Sequence, residues 1–185
     1  LVHDAPIDLI DVAALLDGET RAVWFRSVGP EKTELIGNVM GARSRLAMAL
    51  DADDAQFATK LRARSSGGVA PVEVSQDEAP VQQVVLTGAQ ADLCALPVHL
   101  QHELDGAPYI SAGVDFAIDK ATGWTNIGCR RLMLRGPTSA GIDTNAPSDL
   151  RAMYLAAAAR GERLPIAFTV GSHPLDFLAA LVTNP

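Results

Sequence analysis

The chain has 185 residues, 48% of them hydrophobic and 20% charged, with a formal net charge of −7. That balance suits a globular protein with room for a real core, and its acidic sign argues against nucleic acid or an anionic membrane as the partner. No apolar run approaches the roughly 18 residues of a membrane span.

The N-terminus is acidic and interrupted by Pro6, unlike a signal peptide. Cys94 and Cys129 form no CxxC pair, which argues against a zinc ribbon or a redox dithiol. Both are expected to be reduced, in the cytoplasm. The chain opens on Leu1 rather than methionine and stops at Asn184-Pro185, just after an apolar stretch begins, so both ends read as cuts in a longer protein.

In chain order, apolar residues at helical spacing (Ile7, Ile10, Val12, Ala13, Leu16) predict a helix stopped by Asp17-Gly18. Ala22 to Val28 is a short strand closed by Gly29-Pro30. Residues 43–50 and 55–64 are expected to be helical, and Ser65-Ser66-Gly67-Gly68 is a loop. Residues 1–80 are thus expected to form a small N-terminal α/β region.

From Val81 the character changes. Val81 to Leu86 reads as a strand. Tyr109 to Ile118 and Trp124 to Leu134 read as two longer strands joined by a hairpin over Asp119 to Gly123. Residues 149–160 form a strong helix, N-capped by Ser148 and ended by Gly161. Ile166 to Val170 is a strand, and Pro174 opens a further helix, as proline is tolerated in a first turn. Antiparallel strands with intervening helices predict an α+β domain, with a twisted, barrel-like sheet.

Several stretches carry a resemblance. Gly37-Asn38-Val39-Met40-Gly41-Ala42-Arg43-Ser44-Arg45 is the first. Asp92-Leu93-Cys94-Ala95-Leu96-Pro97 is the second. The longest runs from Asp105-Gly106-Ala107-Pro108-Tyr109-Ile110 to Thr122-Gly123-Trp124-Thr125-Asn126-Ile127-Gly128-Cys129-Arg130-Arg131. Pro165 and Gly171-Ser172-His173-Pro174 follow in register. In order and spacing the chain resembles the UbiD-type decarboxylases, from about Glu34 to its C-terminus.

The resemblance implies a split β-barrel over residues 81–185 that binds prenylated FMN, with the cofactor phosphate held through Mn2+ and K+. A phosphate in an acidic protein needs such compensation, and oxygen donors suit hard cations. It implies non-oxidative decarboxylation of an aromatic or α,β-unsaturated acid, a flavin prenyltransferase as cofactor supplier, and a homo-oligomer.

By the same resemblance Asn126 is a metal ligand and Arg131 grips the substrate carboxylate through a bidentate fork. Asn126 and Arg131 would also contact the cofactor, together with Ile127, Gly128, Cys129, Arg130 and His173. Where the family has its metal-ligating histidine, this chain has Thr144-Asn145, so Asn145 is the expected oxygen donor there. The family's metal-ligating glutamate falls at or just past Pro185 and its catalytic glutamates further on, so residues 1–185 alone are expected to be inactive. His99 and His102 lie in a polar loop and are read as solvated.

Asn126 and Arg131 are an odd number of residues apart, which on a regular strand sends them to opposite faces; a bulge near Gly128 would bring them together. Two other readings remain: a flavin-reductase-like protein using plain FMN, and a non-catalytic assembly scaffold.

Overall fold

The computed structural model describes residues 1–182. The N-terminal part builds a three-stranded sheet from β1 (Val2–His3), β2 (Val23–Val28) and β3 (Thr33–Gly37), in the order β1-β2-β3. β1 runs parallel to β2, and β3 runs antiparallel. Val23, Phe25 and Val28 point into the core, where they meet Val12 from α1 (Val12–Leu16).

The helix expected from Ile7 is shorter. Ile7 bridges to Val28, and the Asp8 carboxylate accepts the Ile10 N–H, so the turn begins only there, as a 3-10 segment over Leu9–Asp11. β3 has no clear apolar run in the sequence; it forms because it pairs with β2 across a tight hairpin. Two helices follow, α2 (Arg43–Ala49) and α3 (Phe57–Ser65). Both lie where helix was expected.

Between residues 66 and 108 the chain runs largely exposed through short 3-10 turns. The strand expected over Val81 to Leu86 is absent. Val81, Val84 and Val85 are exposed, and no strand among the described residues pairs with them. A run of β-branched residues becomes a strand only when a neighbour satisfies its backbone.

The second sheet carries β4 (Tyr109–Ile118), β5 (Thr125–Gly136), β6 (Ser139–Ile142) and β7 (Ile166–Val170), in the order β6-β5-β4-β7, all antiparallel. The β4–β5 hairpin closes as expected, with Gly123 at φ 74°. Asp119 anchors the turn: its carboxylate accepts from the Ala121 N–H (3.0 Å) and from Arg160 Nη2 (2.8 Å).

One face of this sheet receives α4 (Asp149–Ala159). Leu150 and Met153 pack on Ala117, and the Ser148 hydroxyl caps the helix by accepting the Arg151 N–H. The opposite face receives α5 (Pro174–Ala180), which also reaches back to α2 and α3: Leu175 and Leu178 pack on Ala47, Leu50 and Phe57. The mixed α+β architecture is as expected. The described residues form an open four-stranded sheet.

Candidate active site

The motif Asn126 to Arg131 lies within β5. β4 pairs with it from Thr125 to Met133, whereas β6 pairs only from Leu132 onward. The stretch from Thr125 to Arg131 therefore has one edge that no strand among the described residues covers. The Asp119 N–H donates to the Trp124 carbonyl, and in an antiparallel ladder such pairs recur at every second residue. The main-chain groups of Asn126, Gly128 and Arg130 thus face β4. Those of Ile127 and Cys129 face the edge that no described strand pairs, beside an exposed Ile127 side chain; the Cys129 carbonyl accepts there from Arg130 Nη1.

Side chains alternate across the sheet. Asn126, Gly128, Arg130 and Leu132 share one face with Asp115, the β4 residue opposite Gly128. Asn126 Nδ2 donates to Asp115 Oδ2 at 3.3 Å, and Arg130 Nε stands 3.8 Å from Asp115 Oδ1. Arg130 Nη1 donates to the carbonyl of Cys129 at 3.0 Å. Gly128 leaves room for this arrangement: a Cβ would lie 2.9 Å from Arg130 Nη1 and 3.0 Å from Asp115 Oδ1.

Asp115 is fully buried, and its Oδ1 has no hydrogen-bond partner among the described residues. Burial pushes its carboxyl above the ordinary range; Arg130 and the Asn126 amide act in the opposite direction. Sequence reasoning missed this residue. The available signal was an aspartate in the middle of the apolar strand run Val114 to Ile118, where such a side chain is disfavoured.

Cys129 and Arg131 lie on the other face. Cys129 Sγ is 3.9 Å from the carbonyl of Phe177 in α5, and burial pushes its thiol up. Arg131 is exposed, and its guanidinium carbon lies 5.9 Å from the Tyr109 ring centroid. Among the described residues it has no ion-pair partner.

The bulge expected near Gly128 sits elsewhere. β5 runs regularly from Thr125 to Arg130, and the register shifts in β4 between Ile110 and Gly113, opposite Arg131. Gly113 allows this close pairing, since a Cβ there would lie 3.0 Å from the Arg130 carbonyl oxygen. Asn126 and Arg131 therefore flank the free edge from opposite faces.

The remaining candidates stand apart. His173 caps α5, its Nδ1 accepting the Leu175 N–H at 3.2 Å. Asn145 lies exposed in the loop before α4; its N–H is held by Asp143 and its carbonyl by Arg151, and no contact joins it to Asn126. His99 is half-buried, and desolvation lowers its basicity. No group of three or more histidine, cysteine or acidic residues among the described residues stands close enough to hold a metal ion. The expected site of a metal-ligating glutamate at or past Pro185 lies outside the described residues. Asn126 supplies the type of neutral oxygen that a hard cation accepts, as one ligand of several.

Comparison with known proteins places these features in context. The family model described as UbiD, 3-octaprenyl-4-hydroxybenzoate carboxy-lyase Rift-related domain, matches residues 72–185. The chain is 27% identical to an anhydromevalonate phosphate decarboxylase of Methanothermobacter thermautotrophicus, over 100% of this chain and 42% of that protein. An evolved dimeric form of the UbiD-class enzyme HmfF from Pelotomaculum thermopropionicum, solved in complex with prFMN, superposes with a TM-score of 0.92 at 28% identity, covering 100% of this chain and 44% of that one. The vanillic acid decarboxylase of Sedimentibacter hydroxybenzoicus in closed form gives a TM-score of 0.88 at 25% identity, covering 97% and 41%. The chain spans about two fifths of the length of the relatives it matches.

Proposed function

The chain belongs to the UbiD carboxy-lyase family, and on that footing we propose that the whole protein decarboxylates an aromatic or α,β-unsaturated carboxylic acid with prenylated FMN. The observation that carries this reading is the free edge of β5. A flat cofactor laid along it meets the main-chain groups of Ile127 and the Cys129 N–H, Asn126 on one side and, on the other, the guanidinium of Arg131, which has no ion-pair partner among the described residues. That the HmfF structure holds prFMN supports the choice of cofactor.

When bound, the prenylated flavin supplies the electron sink for loss of CO2. The chain's own residues bind and orient. Asn126 offers its amide oxygen to a divalent cation, Mn2+ by preference, that neutralises the cofactor phosphate together with K+. Arg131 offers a planar fork to the substrate carboxylate and, among the described residues, has no other charge to satisfy. Asn145, in the loop before α4, is the second oxygen donor of this proposal, and His173, at the start of α5, a further cofactor contact.

In the same proposal the four-stranded sheet is part of a split β-barrel closed by the rest of the protein, with the cofactor domain beginning near residue 81. A cytoplasmic setting is supported by the two unpaired thiols, and the dimeric HmfF form supports assembly into a homo-oligomer.

The test is to co-express the complete protein with a flavin prenyltransferase and record its absorbance spectrum and the mass of the released cofactor. Prenylated FMN together with CO2 release from an acid panel is the expected result. Plain FMN would favour a reductase-like role, and an empty protein a scaffold.

A further inference from the structure

Asp115 has no part in the chemistry described so far, yet it is fully buried beneath the Asn126 side chain. A carboxylate only accepts hydrogen bonds, so its contact with Asn126 decides which way that amide lies: Nδ2 is drawn to Asp115 Oδ2, and the amide oxygen points away from that carboxylate. The guanidinium of Arg130, 3.8 Å from the other carboxylate oxygen, offers donors only and keeps Asp115 in place. Gly128, opposite Asp115, adds no Cβ between that carboxylate and Arg130.

We propose that Asp115 is the positioning residue that orients the Asn126 amide oxygen toward a divalent cation. The inference rests on the reading of Asn126 as a metal ligand. Outer groups of this kind set the direction and basicity of a ligand, and their loss weakens metal binding about 10- to 100-fold.

The substitution Asp115→Asn makes the point physically. Arg130 has no acceptor, so an asparagine at 115 turns its oxygen to Arg130 and its NH2 group to Asn126. The Asn126 amide must then flip and present its oxygen inward, away from the metal. The double exchange Asp115→Asn with Asn126→Asp restores the polarity: the new amide donates to one carboxylate oxygen and the other faces outward.

The experiment uses the complete, cofactor-loaded protein, stripped of metal by chelation and titrated with Mn2+, with free Mn2+ read by electron paramagnetic resonance. D115N should bind Mn2+ about 10- to 100-fold more weakly, and the double exchange should bind it nearly as the parent does. Parent-like Mn2+ affinity in D115N, with N126A impaired, overturns the role of Asp115 and leaves Asn126 as a ligand. Parent-like affinity in N126A overturns the reading of Asn126 itself, and the positioning role falls with it. If D115N fails to fold, as judged by circular dichroism, the double exchange decides: folded and binding upholds the proposal, and folded without binding overturns it. Loss of fold in both assigns Asp115 a purely architectural part and also overturns it.

Discussion

At the scale of single residues, Arg131 and Gly128 make opposite demands on β5. Arg131 stands exposed over Tyr109 with no ion-pair partner among the described residues, so its worth lies in what it binds. In the complete protein, Arg131→Ala should lower kcat/KM for decarboxylation by at least about 100-fold while prenylated FMN stays bound. Arg131→Lys should recover little, because an ammonium has no bidentate fork. Retained activity in steady-state assays of either variant would refute the assignment. Gly128 is dictated by its neighbours: Gly128→Ala pushes a methyl group against Arg130 and Asp115, and should cost about 1–3 kcal/mol in chemical denaturation.

At the scale of elements, the β4–β5 hairpin and α4 hold each other. Met153 is fully buried on Ala117, so Met153→Ala should destabilise by about 2–5 kcal/mol in urea titration. The Asp119 turn adds a pH-dependent tie. The Ala121 N–H, and then Arg160, hold its carboxyl below the ordinary value, against a desolvation that raises it.

A carboxyl depressed in the folded state stabilises fully above its unfolded pKa, about 4, and loses that contribution as pH falls through the folded value. Asp119→Asn should therefore lower the urea midpoint at pH 7, and the gap from the parent should close as pH falls below about 4 and through the depressed folded value. A gap independent of pH would mean that the carboxylate's charge is not what ties the turn to α4.

At the scale of the whole molecule, the first motif of the sequence proves to be a joint. Asn38, at φ 57°, donates through Nδ2 to the carbonyls of Glu19 and Arg21, while Arg45 donates to those of Thr20, Asn38 and Val39. Gly41 fits beneath because a Cβ there would collide with Asn38 Oδ1. This lacing fixes the start of α2 against the first sheet, and α2 in turn packs on α5 beneath β5. Arg45→Ala should thus cost about 2 kcal/mol or more, with Arg45→Lys a poor substitute, since one ammonium cannot reach three carbonyls set apart in this way. Thermal melts of both variants check this.

Helices and the long hairpin were legible in the sequence because their causes are local. Ser148 and Gly161 bracket α4, Pro174 opens α5, and Gly123 supplies the positive φ of the hairpin. The motif from Asn126 to Arg131 was equally plain, because residue type and spacing carry it. What the sequence left open depended on partners distant along the chain. The Val81 to Leu86 run has strand composition but no neighbour, whereas Thr33 to Gly37 lacks the pattern and gains β2.

The bulge went to β4 because Gly113 rather than Gly128 allows close pairing opposite Arg130. Only the tertiary structure set Asp115 against Asn126 and left Thr125 to Arg131 of β5 with one edge that no described strand pairs. Both follow from strand register and sheet order, which are settled between segments and cannot be read within one.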